Sequence, residues 1–376
     1  MKKILVIFGT RPEAIKLAPV ISELKKEKSL VTKVYSTGQH REMLKQVLDI
    51  FDLTIDKDLK LMKPNQDLFD ITMNAIEALK KIYLKEKPDL VIVQGDTSTA
   101  FISALAAFYL KIKVAHVEAG LRSYNIYSPF PEEANRRFIS VITEYNFAPT
   151  RDAQEQLLQE GFPESKIFFT GNTVVDALLQ MKKVFESKKL NSELQNFFSN
   201  TLGEDFFSKK YILITMHRRE KFGDELNSVL KTIKALAEEY SDYNFVYPVH
   251  LNPNVKKPVE KILGKCSNIK LIPPQDYIKF IYLMSNCWFI MSDSGGVQEE
   301  CFVFKKPILV LRDTTERMEA VKAGYAFMVG SDTKKIRNKF SFVDKKLKSK
   351  INFFNVKNPF GDGKASQRIA KILKSK

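Results

Sequence analysis

Eight apolar runs in this 376-residue chain stop on small, polar or ionisable residues. KILVIF is followed by Gly9-Thr10-Arg11-Pro12-Glu13, KVYST by Gly38-Gln39-His40-Arg41, LVIVQ by Gly95-Asp96-Thr97, and VAHV by Glu118-Ala119-Gly120. YILITM leads into His217-Arg218-Arg219-Glu220, FVYPV into His250, WFIMS into Asp293-Ser294-Gly295-Gly296, and PILVL into Arg312-Asp313-Thr314-Thr315-Glu316-Arg317. Carboxylates near a core are seldom tolerated unless they are paired or used. Asp96, Glu118 and the pair Glu132-Glu133 in the SPFPEEANRR loop therefore call for a partner or a task. Arg11, Lys16, Arg218, Arg219, Arg312 and Arg317 point to an anionic ligand. In SDSGGVQEE, a serine and two glycines between a buried strand and a helix let backbone N–H groups approach a phosphate.

Each residue alone also has a purely architectural reading. Gly9 and Gly95 serve strand-to-helix turns, Pro12 suits a first helical turn, and Asp96 is a helix N-cap. Glu133 complements a helix dipole, and His116, inside its strand, is a satisfied core histidine. The combination resists this better than any member. There is no GxGxxG and no GxxxxGK[ST], so nicotinamide binding and P-loop chemistry lack their motifs.

The elements that must carry these loops follow from periodicity. Short strand-like runs alternate with amphipathic stretches such as EAIKLAPVISELKK and STAFISALAAFYLK, which argues parallel sheets with crossover helices. The runs are too many for one sheet and suit two. The expected division is an N-terminal domain over 1–170, a second over 171–359, and a last helix over 360–376 that packs back on the first. In such sheets ligands sit at the carboxyl ends of the strands.

Composition narrows the class. The net charge is +16, from 60 basic and 44 acidic residues, but the lysines alternate with glutamates in SELKKEK and LKKIYLKEK as on solvated helix faces. With no zinc-finger spacing or RNP motif, nucleic acid is not the expected partner. Three cysteines without CxxC and four histidines without HExxH argue against disulfides and metal. No apolar run approaches the ~20 residues of a bilayer span. MKKILVIFGT ends too soon for a secretory leader and reads as a first strand, so a cytoplasmic protein without a membrane partner is expected.

At this point the residues resemble a known family. FGTRPEAIKLAPV, GQHREML, GDTST, HVEAGLRS, SPFPEEANRR, TGNTVVDAL, HRRE, PVHLNPNV, SDSGGVQEE, RDTTERMEAV and NPFGDGKAS stand in the order found in bacterial non-hydrolysing UDP-N-acetylglucosamine 2-epimerases. The resemblance runs from residue 4 to about 370. It implies an α/β, GT-B architecture of two Rossmann-like domains with the nucleotide sugar in the cleft between them, usually in a homodimer. The implied reaction interconverts UDP-N-acetylglucosamine and UDP-N-acetylmannosamine through loss of UDP to a 2-acetamidoglucal, with no cofactor. Mapped by motif, Asp96, Glu118 and Glu132 are the acid/base groups, and His217 supports departure of UDP. UDP recognition falls to Arg11, Lys16, His217, Gln275, Phe280, Ser294, Gly295, Gly296, Glu300 and Arg317. A second UDP-N-acetylglucosamine is expected to activate the enzyme through Gln39, Arg41 and His250.

Some residues depart from the family pattern. Gln94 precedes GDT where His is usual, Met216 precedes HRRE where Gly is usual, and Met318 follows ER where Pro is usual. The nearest rivals are a hydrolysing 2-epimerase, which releases UDP and the free sugar, and a GT-B glycosyltransferase, which needs an acceptor. A non-catalytic nucleotide-sugar sensor would require the carboxylates to be displaced.

Overall fold

The computed structural model describes the chain except for residues 39–46, 62–65, 187, 217–222, 316 and 350–355. Two compact units emerge: Met1–Leu179 together with Phe360–Lys376, and Gln180–Pro359. The division falls at Leu179, nine residues beyond the expected boundary at 170, because the helix Thr173–Phe185 begins in the first unit and ends in the second.

In the first unit, strands β1 (Lys2–Phe8), β2 (Leu30–Ser36), β3 (Lys57–Asp58), β4 (Leu90–Gln94), β5 (Lys113–Val117), β6 (Tyr145–Ala148) and β7 (Ile167–Phe169) form one parallel sheet. Their order is β3-β2-β1-β4-β5-β6-β7. The connecting helices are α1 (Arg11–Lys26), α2 (Leu68–Glu86), α3 (Ser98–Tyr109), α4 (Glu132–Ile142), α5 (Arg151–Gln159) and α6 (Thr173–Phe185). β4 is buried at all five positions. Helices on both faces of a parallel sheet explain why its strands read as near-continuous apolar runs. The chain reverses direction across the sheet between β1 and β4, so the loops after these two strands diverge, which is where such sheets open a crevice.

The second unit repeats the scheme. β8 (Tyr211–Thr215), β9 (Asn244–Pro248), β10 (Ile269–Ile272), β11 (Phe289–Ser292), β12 (Ile308–Val310) and β13 (Ala326–Met328) lie in the order β10-β9-β8-β11-β12-β13, again all parallel. Its helices are α7 (Lys188–Leu202), α8 (Asp224–Glu239), α9 (Pro253–Leu263), α10 (Tyr277–Asn286), α11 (Gly295–Glu300), α12 (Met318–Lys322) and α13 (Thr333–Lys348). Both units are Rossmann-like. Periodicity alone did not reveal β3 and β13. Each is an edge strand of two or three residues, paired on one side only and too short to show alternation.

The last helix, α14 (Ala365–Ser375), packs against α1 in the first unit. Asp176 in α6 holds its start: its carboxylate accepts Ala365 N–H (3.2 Å), Ser366 N–H (2.9 Å) and Ser366 Oγ (2.5 Å). Those N–H groups have no partner within their own helix.

Glu86, at the end of α2, accepts Lys33 Nζ (2.6 Å) and Tyr35 Oη (2.8 Å), with Lys3 Nζ at 3.5 Å. The bond from Lys33 leads in lowering its carboxyl to about 2, against the opposing effect of burial. A depressed carboxyl stabilises the fold fully above its unfolded value of about 4.3, and that contribution is lost as pH falls through about 2. Melting of Glu86→Gln is therefore expected to vary less with pH between about 4.5 and 2 than melting of the wild type. Identical slopes for the two would show that these pairs do not stabilise the first unit.

Candidate active site

The β1–α1 turn is built around a buried acid. Thr10 caps α1, and Glu13 closes the capping box from the third helical position. Glu13 Oε2 accepts Gly9 N–H (3.1 Å) and Thr10 N–H (2.7 Å), while its Oε1 accepts Thr97 Oγ1 (2.8 Å) from the β4–α3 turn. Burial raises its pKa, and these hydrogen bonds pull the other way. One carboxylate thus ties the two diverging loops of the switch point together. Gly9 is required by space, because a Cβ there would lie 2.5 Å from Thr37 Oγ1 and 2.6 Å from Thr99 Oγ1.

Asp96 follows Gly95, which needs its glycine for a φ of +68° rather than for room. Thr97, not Asp96, caps α3 by accepting Ala100 N–H at 3.0 Å. The Asp96 carboxylate is left to pair with Arg136 on α4, and Asn135 Nδ2 donates to the Asp96 carbonyl at 2.9 Å. His116 fixes the other side of the turn. It is fully buried, and its Nε2 lies 2.7 Å from the Gly95 carbonyl. A carbonyl only accepts, so Nε2 carries the proton. Burial leads in lowering the imidazole to about 4, so it is neutral at pH 7. It braces the turn, as a core histidine would.

Glu118 leaves β5 with φ +70°, a left-handed conformation uncommon outside glycine. Its own N–H and that of Ala119 both donate to the Phe147 carbonyl, at 3.1 and 3.0 Å, which holds the conformation. Lys16 from α1 pairs with the Glu118 carboxylate, and the two side chains are only 13% and 9% exposed. The residue expected to touch an anion therefore sits on the residue expected to move a proton.

The two acids opening α4 have different environments. Glu133 is fully buried and accepts Ser123 N–H (2.9 Å) and Tyr124 N–H (3.2 Å), with Arg136 Nη1 at 3.2 Å. It pins the preceding loop. Arg122 anchors the same loop through two 2.8 Å bonds to Glu160. Glu132 is half-buried at the first helical position and makes no side-chain hydrogen bond or ion pair with the described residues. Sequence reading had missed Arg136, Asn135 and the bridging role of Glu13. Arg136 was open to discovery, since it stands three and four residues after Glu133 and Glu132 on a helix.

In the second unit Thr215 and Ser292, at the ends of adjacent β8 and β11, join hydroxyls at 2.6 Å. Ser292 Oγ also accepts Ser294 N–H at 3.0 Å, which shapes the turn into α11. Gly295 is buried and Gly296 exposed. Thr315 Oγ1 donates to Gln298 Oε1 (2.8 Å) and accepts Arg317 N–H (3.1 Å), and Arg317 Nε donates to Glu299 Oε1 (2.9 Å). The structure thus gathers Ser294, Gly295, Gly296, Glu300 and Arg317 around one short helix. Gln275 and Phe280 lie after β10 at the sheet edge, with β9 and β8 between it and β11. Gln275 Nε2 donates to the Pro273 carbonyl at 2.7 Å, and Phe280 is half-buried in the first turns of α10. His250 is exposed past β9 and its Nδ1 accepts Asn252 N–H at 3.1 Å. Met216 points inward: its side chain is 4% exposed within the core that includes Leu226 and Tyr247.

His217, Gln39 and Arg41 lie outside the described residues, as do Arg218, Arg219 and Glu316. Among the described residues no group of three or more His, Cys, Asp or Glu could hold a metal ion. No described helix is long and apolar enough to cross a membrane. Two depressions, of about 300 and 620 Å³, open beside residues such as Asn286 and Lys305 in one unit and Lys2 and Lys113 in the other. Both lie at the amino ends of the strands, opposite the loops described above.

Comparison with known proteins agrees along the whole chain. The family described as UDP-N-acetylglucosamine 2-epimerase matches residues 22–374. The UDP-N-acetylglucosamine 2-epimerase of Neisseria meningitidis serogroup A is 49% identical over 374 residues, covering 99% of both chains. That of Escherichia coli K12 is 47% identical over 374 residues, covering 99% of this chain and 98% of the other. A crystal structure of the Neisseria meningitidis epimerase bound to UDP-GlcNAc superposes with a TM-score of 0.91 at 48% identity, covering 100% of both chains. The Methanocaldococcus jannaschii epimerase in complex with UDP-GlcNAc and UDP gives 0.82 at 36% identity, again covering 100% of both. The two Rossmann-like domains are those of the GT-B class, and by this extent of likeness the chain belongs to the UDP-N-acetylglucosamine 2-epimerase family.

Proposed function

We propose that this epimerase interconverts UDP-N-acetylglucosamine and UDP-N-acetylmannosamine without hydrolysis, by eliminating UDP and adding it back. The observation that carries the reading is the set of three carboxylates at the strand ends of the first unit. Asp96 and Glu118 follow neighbouring strands, each beside a cation (Arg136 and Lys16), and Glu132 opens α4.

Carbon-2 of the sugar is not beside a carbonyl, so its proton becomes removable only as the anomeric carbon–oxygen bond breaks. One carboxylate takes that proton, UDP leaves with the bonding pair, and the electrons of the carbon–hydrogen bond close the double bond of a 2-acetamidoglucal. In the return step, UDP oxygen attacks the anomeric carbon while a proton reaches carbon-2 on the opposite face. Inversion needs a proton acceptor on one face and a proton donor on the other, which more than one carboxylate supplies. Departure of the diphosphate is favoured by fixed positive charge and N–H groups. Arg11, Lys16, Ser294, Gly295, Gly296, Arg317 and His217 are assigned to it. Glu300 is assigned to the ribose hydroxyls, and Gln275 and Phe280 to the uracil side. Relatives crystallised with UDP-GlcNAc, and with UDP-GlcNAc and UDP together, support a nucleotide sugar as the ligand.

The deciding experiment is proton NMR of the enzyme with UDP-N-acetylglucosamine in heavy water. The expected product is the manno nucleotide sugar carrying deuterium at carbon-2. Free N-acetylmannosamine plus UDP would move the enzyme to the hydrolysing class, and no change would refute the reading.

Two finer assignments accompany it. His250, with Gln39 and Arg41, is assigned to a second UDP-N-acetylglucosamine that activates turnover. A sigmoidal rate curve that becomes hyperbolic in His250→Ala would support this, and hyperbolic wild-type kinetics would end it. The enzyme is also read as a homodimer through the outer face of neighbouring helices α2–α4, where Phe69, Met73, Phe108, Tyr109, Phe138 and Val141 are exposed. Apolar side chains exposed together on neighbouring helices are what a protein–protein contact face presents. Sedimentation is expected to give a dimer that Phe138→Asp weakens; a monomeric wild type would overturn it. All three cysteines are free thiols, which fits a cytoplasmic setting.

A further inference from the structure

We propose that Arg136 is a positioning residue for proton transfer: it binds Asp96 and Glu133 at once, so that Asp96 gains and loses a proton at a fixed place relative to Glu132. The inference rests on the epimerase reading above. One stretch of α4 carries every part. Glu132 is its first residue, Glu133 is the counter-ion, Asn135 donates to the Asp96 carbonyl at 2.9 Å, and Arg136 pairs with the Asp96 carboxylate. The Arg136 side chain is 6% exposed and that of Glu133 is fully buried.

This burial explains why two acids share one arginine. When Asp96 takes the proton from carbon-2 its charge vanishes. An arginine held by Asp96 alone would then be a buried cation without a counter-charge, which is costly. Glu133 removes that difficulty. Its carboxylate stays 3.2 Å from Arg136 Nη1 and is itself fixed by the Ser123 and Tyr124 N–H groups. Nη2 donates to Asp96 while Nη1 faces Glu133 as a charge contact, and one planar guanidinium presents both nitrogens at once, which an ammonium cannot do. Asp96 is therefore held in line through both charge states, and the helix that holds it also begins with Glu132. Arg136 touches no reacting atom in this scheme; it acts through Asp96.

The test compares Arg136→Gln and Arg136→Lys with wild type, alone and combined with Asp96→Asn. Misplacing a reacting group by ~1 Å costs about 10²-fold, so kcat and deuterium exchange at carbon-2 are expected to fall by about that factor in both single variants. UDP affinity by calorimetry should stay close to wild type. In the Asp96→Asn background, Arg136→Gln is expected to cost less than about threefold, because the group it positions no longer transfers protons. Guanidinium added to Arg136→Ala should restore part of the exchange rate. Full additivity with Asp96→Asn, or a Gln variant with wild-type kcat, would overturn the role. So would a loss that weakens UDP binding equally, which marks a merely structural residue. Should Arg136→Ala fail to fold, the Lys and Gln cycle decides alone. A wild-type enzyme that exchanges nothing at carbon-2 overturns the functional reading itself rather than the part played by Arg136.

Discussion

Glu118→Gln is expected to lower kcat by ~10²–10⁴-fold, the usual contribution of a positioned acid–base group, and to leave UDP affinity undiminished. The amide keeps the shape of the side chain and the backbone bonds to Phe147 that hold the left-handed turn. What it loses is the capacity to exchange a proton, together with the charge that Lys16 balances. Lys16 then has less opposing charge beside it, so an anionic diphosphate should bind no more weakly than before. The two measurements therefore separate: steady-state turnover and carbon-2 exchange fall, and the calorimetric UDP constant holds or tightens. Asp96→Asn and Glu132→Gln are expected to behave alike in turnover. Undiminished kcat in all three would end the proposed mechanism. A comparable loss of UDP binding in Glu118→Gln would instead mean that the Lys16–Glu118 pair organises the diphosphate site.

Arg317→Ala is expected to weaken UDP binding by about 10- to 100-fold, in keeping with the ~1.5–3 kcal/mol of a hydrogen bond to a charged group. Arg317 is 12% exposed and aimed by two anchors, Thr315 on its N–H and Glu299 on its Nε. Removing it also leaves Glu299, 2% exposed, as a buried carboxylate without that partner. The melting temperature should therefore drop as well. Arg317→Ala combined with Glu299→Gln removes that buried carboxylate charge but restores no ligand contact. Recovery of melting temperature without recovery of UDP affinity is the expected pattern. If calorimetry finds UDP affinity unaltered in the single variant, Arg317 serves α11 alone and has no part in the nucleotide site.

Much of this protein is determined locally by its sequence. Apolar runs with a helix between each pair dictate parallel sheets, because a strand buried on both faces needs uninterrupted apolar side chains. The placing of Asp96, Glu118, Ser294 and Arg317 after such runs puts them at the carboxyl edge of those sheets, where open α/β sheets bind ligands as a rule. The ordered motifs from FGTRPE to NPFGDG carry the family.

Partner choice was a different matter. Lys16 and Glu118 are 102 residues apart, Glu13 and Thr97 84 apart, and Asp96 and Arg136 40 apart. Each pair exists only because β1, β4 and β5 are consecutive in the sheet and α4 returns beside them. Asp96 and Thr97 are equally plausible caps as letters; the turn after Gly95 decides for Thr97. Glu132 and Glu133 are chemically equivalent neighbours, and a helix turns them roughly 100° apart. One is buried against Arg136 and the loop, and the other stays half-buried at the helix start, without a side-chain partner among the described residues. Met216, a departure beside the motif histidine, is placed in the core by the same kind of geometry. Residue types and their periods are properties of the chain, whereas which charge neutralises which depends on sheet order and register, and these are set only when the whole domain packs.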